Sequence, residues 1–353
     1  MKAPEISGPR DETKTMMKDH DILIVRGGEV EEILAGCELA VIDAVSRAYL
    51  AHSRGQSSLP HSTFLRFPDN DLDRIIALPA FLGDGFGVAG MKWIASFPGN
   101  VKQGKARASA VLILNSAATG LPEAMLESSL ISARRTAASA ALAARELRRG
   151  KPTPAAGLIG TGVINFETAR FLLHTVPDLA RFVLFDLDRE RAASFASRLR
   201  EMAGREVEVA GDPQEIFRAC PLIAFATTAV RPHVSDLAAC PPGATILHTS
   251  LRDLTAGAIL ASDNVVDDPD HVSRAQTSIH LAEQQVGHRN FIRCTLADLL
   301  AGTAPAKADE DAVSVFSPFG LGVLDLAVGQ LVRERALATG RGTVIESFLP
   351  FDA

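Results

Sequence analysis

The stretch that decides the reading is Ala155-Ala156-Gly157-Leu158-Ile159-Gly160-Thr161-Gly162-Val163-Ile164-Asn165-Phe166. A short apolar strand candidate runs into two closely spaced glycines, and a helical pattern resumes at Val163. Each part has a physical task. Gly160 permits a tight turn. Gly162 lets the backbone approach a pyrophosphate with no side chain between. The helix then offers free N–H groups and the positive end of its dipole to the anion. Gly160, Thr161, Gly162, Val163, Ile164 and Asn165 are therefore candidate dinucleotide contacts. Asn165 stands where a third Gly or Ala is usual, so the fingerprint is imperfect. Its setting, after a strand and before a helix, is the one the motif requires.

Downstream, residues 182–186 form an apolar strand candidate ending in Asp186. Asp186 can accept hydrogen bonds from adenosine ribose hydroxyls, and its charge repels a 2′-phosphate, which favours NAD over NADP. Two alternatives stay open: Arg189 could accommodate that phosphate, and Asp186 could simply cap the next helix. Thr227 and Thr228 follow the strand candidate 222–226, and Ser250 and Asp253 follow 245–249. Ligands bind at the carboxyl ends of parallel strands; ordinary turn chemistry is the competing reading for the threonines. With further candidates at 207–210 and 264–266 and helices between, this half reads as a parallel βαβ sheet.

Upstream the rhythm changes. Residues 22–25 predict a strand, and Val41, Ile42, Val45 and Ala48 an amphipathic helix. Residues 60–115 predict a β-meander or half-barrel, with strands near 74–80, 88–95 and 109–114. A long Ala-rich helix is expected over 123–149, stopped by Arg148, Arg149, Gly150 and Pro152, which puts a domain boundary near 150. This half carries isolated cations beside apolar strands: Arg66, Lys92, Arg107, Arg134 and Arg135. An unpaired buried cation is costly, so Lys92 should meet a carboxylate or a cavity. For Arg107 and Arg134 alone, solvated or structurally paired charge is the favoured reading. Together the cations suit a substrate with several carboxylates.

Composition excludes several classes. The chain has 353 residues, is 47% hydrophobic and carries a net charge of −6, so a large core is available and no basic excess exists to bind nucleic acid. Cys37, Cys220, Cys240 and Cys294 are scattered, with neither disulfide nor metal-ligand spacing, which fits a reducing cytoplasm and no metal. No apolar run reaches membrane-spanning length. Residues 1–20 lack a signal-peptide stretch and read as a loose leader.

Over nearly its whole length the sequence resembles the ornithine cyclodeaminase/mu-crystallin family. The matching segments are Gly90-Met91-Lys92, Arg135-Thr136-Ala137-Ala138, Gly160-Thr161-Gly162 and residues 320–327. Residues 58–66, 92–100, 107–115, 250–254 and 317–320 resemble, more narrowly, the family branch that forms 2,3-diaminopropionate. The resemblance implies an α/β chain with a Rossmann NAD-binding domain at 151–316. It also implies an α+β substrate-binding and dimerisation domain from residues 21–150 and 317–353, and a homodimer. It implies hydride transfer to NAD followed by imine hydrolysis, on an amine joining a glutamate skeleton to a three-carbon amino acid. Lys92 and Arg135 would hold substrate carboxylates, with Arg66, His61, Phe319 and Gly320 also at the substrate. Ser109, Arg135, Thr136, Thr227, Thr228 and Ser250 would line the cofactor. Asp253 matches approximately the acid that handles water or the amine proton, here in a Ser-Leu-Arg-Asp-Leu context rather than a Gly-rich one. It is alternatively an ion-pair partner of Arg252 or a helix cap. His61 reads equally as a turn histidine. A pyridoxal-phosphate-dependent synthase would supply the substrate for siderophore or antibiotic precursors. Ornithine cyclodeamination, ketimine or amino-acid dehydrogenation, and non-catalytic ligand binding are the other readings.

Overall fold

The computed structural model describes Lys18 and residues 20–350; apart from Lys18 and His20, the segment read as a leader lies outside the described residues. The first part of the chain runs β1 (Ile22–Val25), α1 (Gly27–Leu34), α2 (Glu38–Ser53), β2 (Ser57–Ser58), β3 (Thr63–Phe67), β4 (Asn70–Leu82), β5 (Val88–Ser96), β6 (Ala108–Ser116), β7 (Pro122–Glu127) and α3 (Ser129–Leu147). The second runs β8 (Ala155–Ile159), α4 (Val163–Thr175), β9 (Arg181–Phe185), α5 (Arg189–Ala203), β10 (Glu206–Val209), α6 (Pro213–Ala219), β11 (Leu222–Phe225), β12 (Thr245–His248), α7 (Ala256–Leu260), β13 (Asp263–Val266), α8 (Pro269–Val272), α9 (Ser278–Val286), β14 (Ile292–Thr295), α10 (Leu296–Ala301) and β15 (Ser314–Ser317). The chain then returns to the first part through α11 (Gly322–Thr339) and β16 (Thr343–Ile345), which pairs antiparallel with β1.

Among the described residues there are two eight-stranded sheets. The second is parallel throughout, in the order β10-β9-β8-β11-β12-β15-β13-β14. Strands β8, β11, β12, β13 and β15 are buried along their whole length, as sheets covered on both faces require. From β8 the chain winds outward to β9 and β10, then crosses back to β11, so the strand order reverses beside β8. A crevice opens at the carboxyl ends of strands at such a point.

The first sheet is an antiparallel meander from β3 to β7, with β7 parallel to β1. Register assigns its faces. Lys92 pairs with Leu78 and Leu112, while Trp93 pairs with Ala77 and Val111. The Lys92 face carries buried Leu112 and Leu114 and packs on α3 and α11; the Trp93 face is largely open. Helix α3 also packs against α2 and α4, and its alanines 137, 138, 140, 141, 143 and 144 are buried, small enough for close approach on several sides.

The helix expected over 123–149 begins only at Ser129. Residues 122–127 are strand β7, where Ala124 and Leu126 alternate into the core between β1 and β6. Pairing on both edges overrides the helix propensity of Glu, Ala, Met and Leu.

Candidate active site

The turn after β8 has the shape a dinucleotide needs. Gly160 has φ +91°, and a Cβ there would lie 2.6 Å from the Ala226 carbonyl oxygen, so a side chain is excluded on both counts. Gly162 caps α4, leaving the N–H groups of Val163, Ile164 and Asn165 in the first turn. Asp186 closes the turn from β9. Its Oδ2 accepts from Thr161 N (2.8 Å) and Thr161 Oγ1 (2.6 Å), and its Oδ1 from Asp188 N (3.0 Å). Burial opposes its ionisation, but the Thr161 and Asp188 hydrogen bonds outweigh it and hold the carboxyl below its ordinary value. An ionised carboxylate accepts about four hydrogen bonds, so capacity remains for a ribose hydroxyl. Three apolar side chains at this edge are left in water: Val163 (66% exposed), Leu187 (93%) and Val230 (73%). Apolar groups gathered around a turn of free N–H donors are what a bound adenosine and its pyrophosphate would cover.

Asn165 needs a correction. Its side chain is fully buried and donates to the carbonyls of Ile159 (3.0 Å) and Gly160 (2.7 Å). It braces the turn from beneath, and only its backbone N–H faces the anion position.

The cations converge as a buried group. Lys92 Nζ donates to Asp325 Oδ2 (2.7 Å) and Ser132 Oγ (3.1 Å), and Arg135 Nε donates to Asp325 Oδ1 (3.1 Å). Thus β5, α3 and α11 contribute one member each to a Lys92–Asp325–Arg135 triad. Burial first, and then repulsion from Arg135, outweigh the attraction of Asp325 and pull the Lys92 ammonium down to about 8. Gly320 lies against the triad: at φ +92°, a Cβ there would stand 2.6 Å from Arg135 Nη1. Its N–H and that of Phe319 donate to the two oxygens of Asp267 (2.7 and 2.9 Å), the residue that follows β13. Arg135 therefore reaches the strand-end edge of the parallel sheet, the edge on which Gly160 lies. Neighbouring Arg134 is structural, its Nη1 donating to the Leu34 carbonyl while its Nε pairs with Glu167 at 3.4 Å. Thr136 Oγ1 donates within its own helix to Ser132 O (2.7 Å).

Asp253 is not a free base. It is fully buried, and its oxygens accept from Thr227 Oγ1 and Ser250 Oγ, with His248 Nε2 3.2 Å away. Burial alone would raise its carboxyl; the His248, Ser250 and Thr227 partners hold it below its ordinary value instead. Asp253 thus ties the end of β11 to the end of β12. It does not pair with Arg252, whose Nη2 donates to the Ala275 carbonyl (2.7 Å). Thr227 and Ser250 spend their hydroxyls on Asp253, while Thr228 is exposed at the strand end. Ser109 is also displaced. It pairs with Ala95 and shares the Trp93 face of the first sheet, opposite to Lys92. Arg66 lies exposed on β3 with its guanidinium 5.8 Å from the Phe64 ring centre. Exposed His61 meets His271 of the parallel-sheet half edge-on, 5.2 Å between ring centres.

With a dinucleotide turn and a buried Lys–Asp–Arg triad at one crevice, comparison with known proteins becomes decisive. The sequence profile of the ornithine cyclodeaminase/mu-crystallin family matches residues 22–340. The chain belongs to this family. It is 26% identical over 337 residues to N-((2S)-2-amino-2-carboxyethyl)-L-glutamate dehydrogenase of Staphylococcus aureus, covering 94% of this chain and 100% of that one. Among solved structures, the Thermococcus litoralis Δ1-pyrroline-2-carboxylate reductase in complex with NADH and L-proline superposes with a TM-score of 0.85, at 25% identity, over 91% of this chain and 99% of that one. An archaeal alanine dehydrogenase dimer with bound NAD superposes with a TM-score of 0.82, at 26% identity, over 92% and 99%. In this member of the ornithine cyclodeaminase/mu-crystallin family, sequence reasoning overlooked Asp325, Asp267 and Ser132 as site residues. Asp325 carried a signal: an acid inside Val323-Leu324-Asp325-Leu326-Ala327 is buried on any helical phase and demands a cationic partner.

Proposed function

We propose that this chain is an NAD-dependent dehydrogenase that cleaves N-(2-amino-2-carboxyethyl)-L-glutamate into 2,3-diaminopropionate and 2-oxoglutarate. The observation that carries the reading is the Lys92–Asp325–Arg135 triad at the strand-end edge that holds the dinucleotide turn. Two cations share one acid there, so the group keeps a net positive charge for a substrate carboxylate. The name of the Staphylococcus aureus relative and the further cation Arg66 on the Lys92 face support the choice of a carboxylate-rich amine.

Gly160, Thr161, Gly162, the first-turn N–H groups of α4 and Asp186 would hold NAD. When bound, the dinucleotide supplies a hydride acceptor. Lys92 and Arg135 fix the α-carboxylate of the glutamate portion, orienting its Cα–H bond. Loss of hydride from that carbon and of the N–H proton leaves a C=N bond. Water adds across it, and collapse breaks the C–N bond to give the ketone of 2-oxoglutarate and the amine of 2,3-diaminopropionate. Asp325 keeps Lys92 and Arg135 in place, and Asp253 holds the ends of β11 and β12 together. A pyridoxal-phosphate enzyme joining an activated serine to glutamate is the class of reaction that would supply this substrate.

A second copy of the chain covers the open face of the first sheet. Leu65, Phe81, Trp93 and Val111 lie on that one face and are 47%, 38%, 41% and 37% exposed, an apolar patch that sets an interface apart from scattered surface residues. Sedimentation of the wild type and of Trp93→Glu checks this: a dimer and a weakened dimer are expected.

The deciding experiment supplies the purified protein with the amine and NAD⁺ and follows NADH, 2-oxoglutarate and 2,3-diaminopropionate in equal amounts. NADH formed from alanine or proline but not from the amine, or proline and ammonia formed from ornithine, would replace this reading with another family reaction.

A further inference from the structure

Arg66, Arg74 and Arg107 gather at the far end of the Lys92 face, and Arg252 stands near enough to repel Arg74. Arg66 on β3 stands directly opposite Arg74 on β4. Arg74 is opposite Ser96 on β5, and Ser96 Oγ accepts from Arg107 Nη1 at 3.2 Å. Arg252 comes from the other half of the molecule, in the loop after β12, and its charge acts on Arg74. Arg74 is depressed first by burial and then by repulsion from Arg252, Arg107 and Arg66. Arg252 is depressed first by burial and then by Arg66, with Asp253 opposing. Among the described residues, no carboxylate lies within ion-pair distance of any of the four, and the Arg74 side chain makes neither a hydrogen bond nor an ion pair. Asp253, next to Arg252 in the chain, is already spent on Thr227, Ser250 and His248.

Like charges directly opposite on paired strands destabilise a sheet, and the partial burial of Arg74 and Arg252 adds to the cost, while Arg66 and Arg107 are exposed. A chain with 42 acidic against 36 basic residues has no shortage of carboxylates, yet the acid that acts on Arg252 is Asp253, bonded to Thr227, Ser250 and His248. Resting on the substrate class argued above, we propose that Arg66, Arg74, Arg107 and Arg252 form a second anion site. It takes the two substrate carboxylates that Lys92 and Arg135 do not hold, and it draws the two halves of the molecule together around the substrate.

The spacing suits an extended tricarboxylate. Arg74 lies four positions along β4 from Leu78, opposite Lys92, on the same face, or about 14 Å at ~3.4 Å per residue. Long basic side chains reach inward from both ends of that interval. Alanine or proline, with one carboxylate, can engage only one end.

The test uses the full-length protein and the variants Arg74→Gln, Arg252→Gln and their double. For N-(2-amino-2-carboxyethyl)-L-glutamate, KM is expected to rise about ten- to hundredfold for each single variant, the effect of one lost charge-assisted contact. kcat should change far less, and NADH affinity should be unaltered. Arg74→Lys should recover part of the loss. Without ligand, Arg74→Gln should melt at or above the wild-type temperature, because repulsion is relieved; an arginine with a merely structural role would lower it. Tricarballylate, titrated with NADH present, should bind the wild type at least tenfold more tightly than pyruvate or inorganic phosphate, and this preference should vanish in the double variant. An unchanged KM in both single variants, with turnover intact, would overturn the anion site and leave the dehydrogenase reading standing. A wild type that ignores the amine but loses tricarballylate binding in the double variant would keep the site and remove the substrate. Phosphate binding as tightly as tricarballylate, with the same dependence on the arginines, would overturn the assignment to carboxylates.

Discussion

Replacing Asp325 by Asn tests the triad on which the site is built. The carboxylate lies 2.7 Å from Lys92 Nζ and 3.1 Å from Arg135 Nε, with all three groups buried. Asparagine keeps the volume and removes the charge, leaving two cations facing each other. Removing one partner of a buried ion pair costs about 3–5 kcal/mol. Lys92 already stands at about 8 against an ordinary 10.5, which corresponds to about 3 kcal/mol against its charged form. Without Asp325 it falls further. The unfolded chain binds the lysine proton up to about pH 10.4. Between the folded and unfolded values the unfolded state therefore holds more protons, and stability rises with pH. That window runs from about 8 upward in the wild type and extends to lower pH in the variant. The penalty of the substitution is thus largest near neutrality, where wild-type Lys92 is charged and paired. It shrinks toward pH 9.5, where Lys92 is mostly neutral in both proteins.

The assay is paired thermal unfolding of wild type and Asp325→Asn at pH 7 and pH 9.5. At about 2.1 cal/mol/K of unfolding entropy per residue, 1 kcal/mol moves a 353-residue chain by about 1.4 °C, so the variant should melt roughly 4–7 °C lower at pH 7, and the gap should narrow by roughly half at pH 9.5. Adding Lys92→Met to the variant should restore part of the pH 7 loss, because an unpaired buried cation is removed. A gap that is the same at both pH values, or one below about 2 °C at pH 7, would refute the electrostatic account of the triad.

Four further outcomes follow from the geometry. Gly160→Ala forces a Cβ to 2.6 Å from the Ala226 carbonyl at φ +91° and should weaken NADH binding, read by fluorescence titration, at least tenfold while substrate carboxylate binding persists. Asp186→Ser removes the charge beside the ribose and should shift the NAD to NADP ratio of kcat/KM toward NADP by at least tenfold. Gly320→Ala drives a methyl to 2.6 Å from Arg135 Nη1 and should raise substrate KM with NADH affinity unchanged in calorimetry. The profile of kcat/KM should fall above about pH 8 as Lys92 loses its proton, and that limb should move to lower pH in Asp325→Asn.

The cofactor turn was legible because its parts are contiguous: strand, two glycines and helix lie within twelve residues, and each constrains the backbone locally. Asp186 could be placed because a strand of ordinary length carries it back to the same edge. Relations across strands were not legible. The resemblance puts Ser109 at the cofactor, but the β5–β6 register pairs Lys92 with Leu112 and sends Ser109 to the opposite face. A slip of one residue would reverse that, and nothing in the local sequence fixes it. Asp253 was assigned by position in a motif. Its role is set by Thr227 and His248, which only the parallel order β11-β12 brings to it. Lys92 was flagged by its apolar flanks, yet its partner lies 233 positions away, on a helix that returns from beyond the second sheet.

The same distribution of charge argues for an orientation of substrate. At the Gly320 end, Asp325 offsets one of the two cations, leaving a net charge near +1 beside the loop between β15 and α11. At the Arg74 end, four guanidiniums stand with no carboxylate in ion-pair distance among the described residues, and Asp253 offsets only Arg252. A tricarboxylate entering this field is drawn with its more acidic end toward the arginines and a single carboxylate toward the triad, because the opposite placement crowds two carboxylates around a group already holding Asp325. On the proposed reading, the glutamate α-carboxylate would sit at Lys92 and Arg135, next to the carbon that would lose hydride. The glutamate side-chain carboxylate and that of the three-carbon arm would reach the arginines. Reversing the field, by placing an acid at Arg74 and removing Asp325, should therefore lower kcat/KM for the amine by more than the product of the two single losses; a loss equal to that product would show that the two ends act independently.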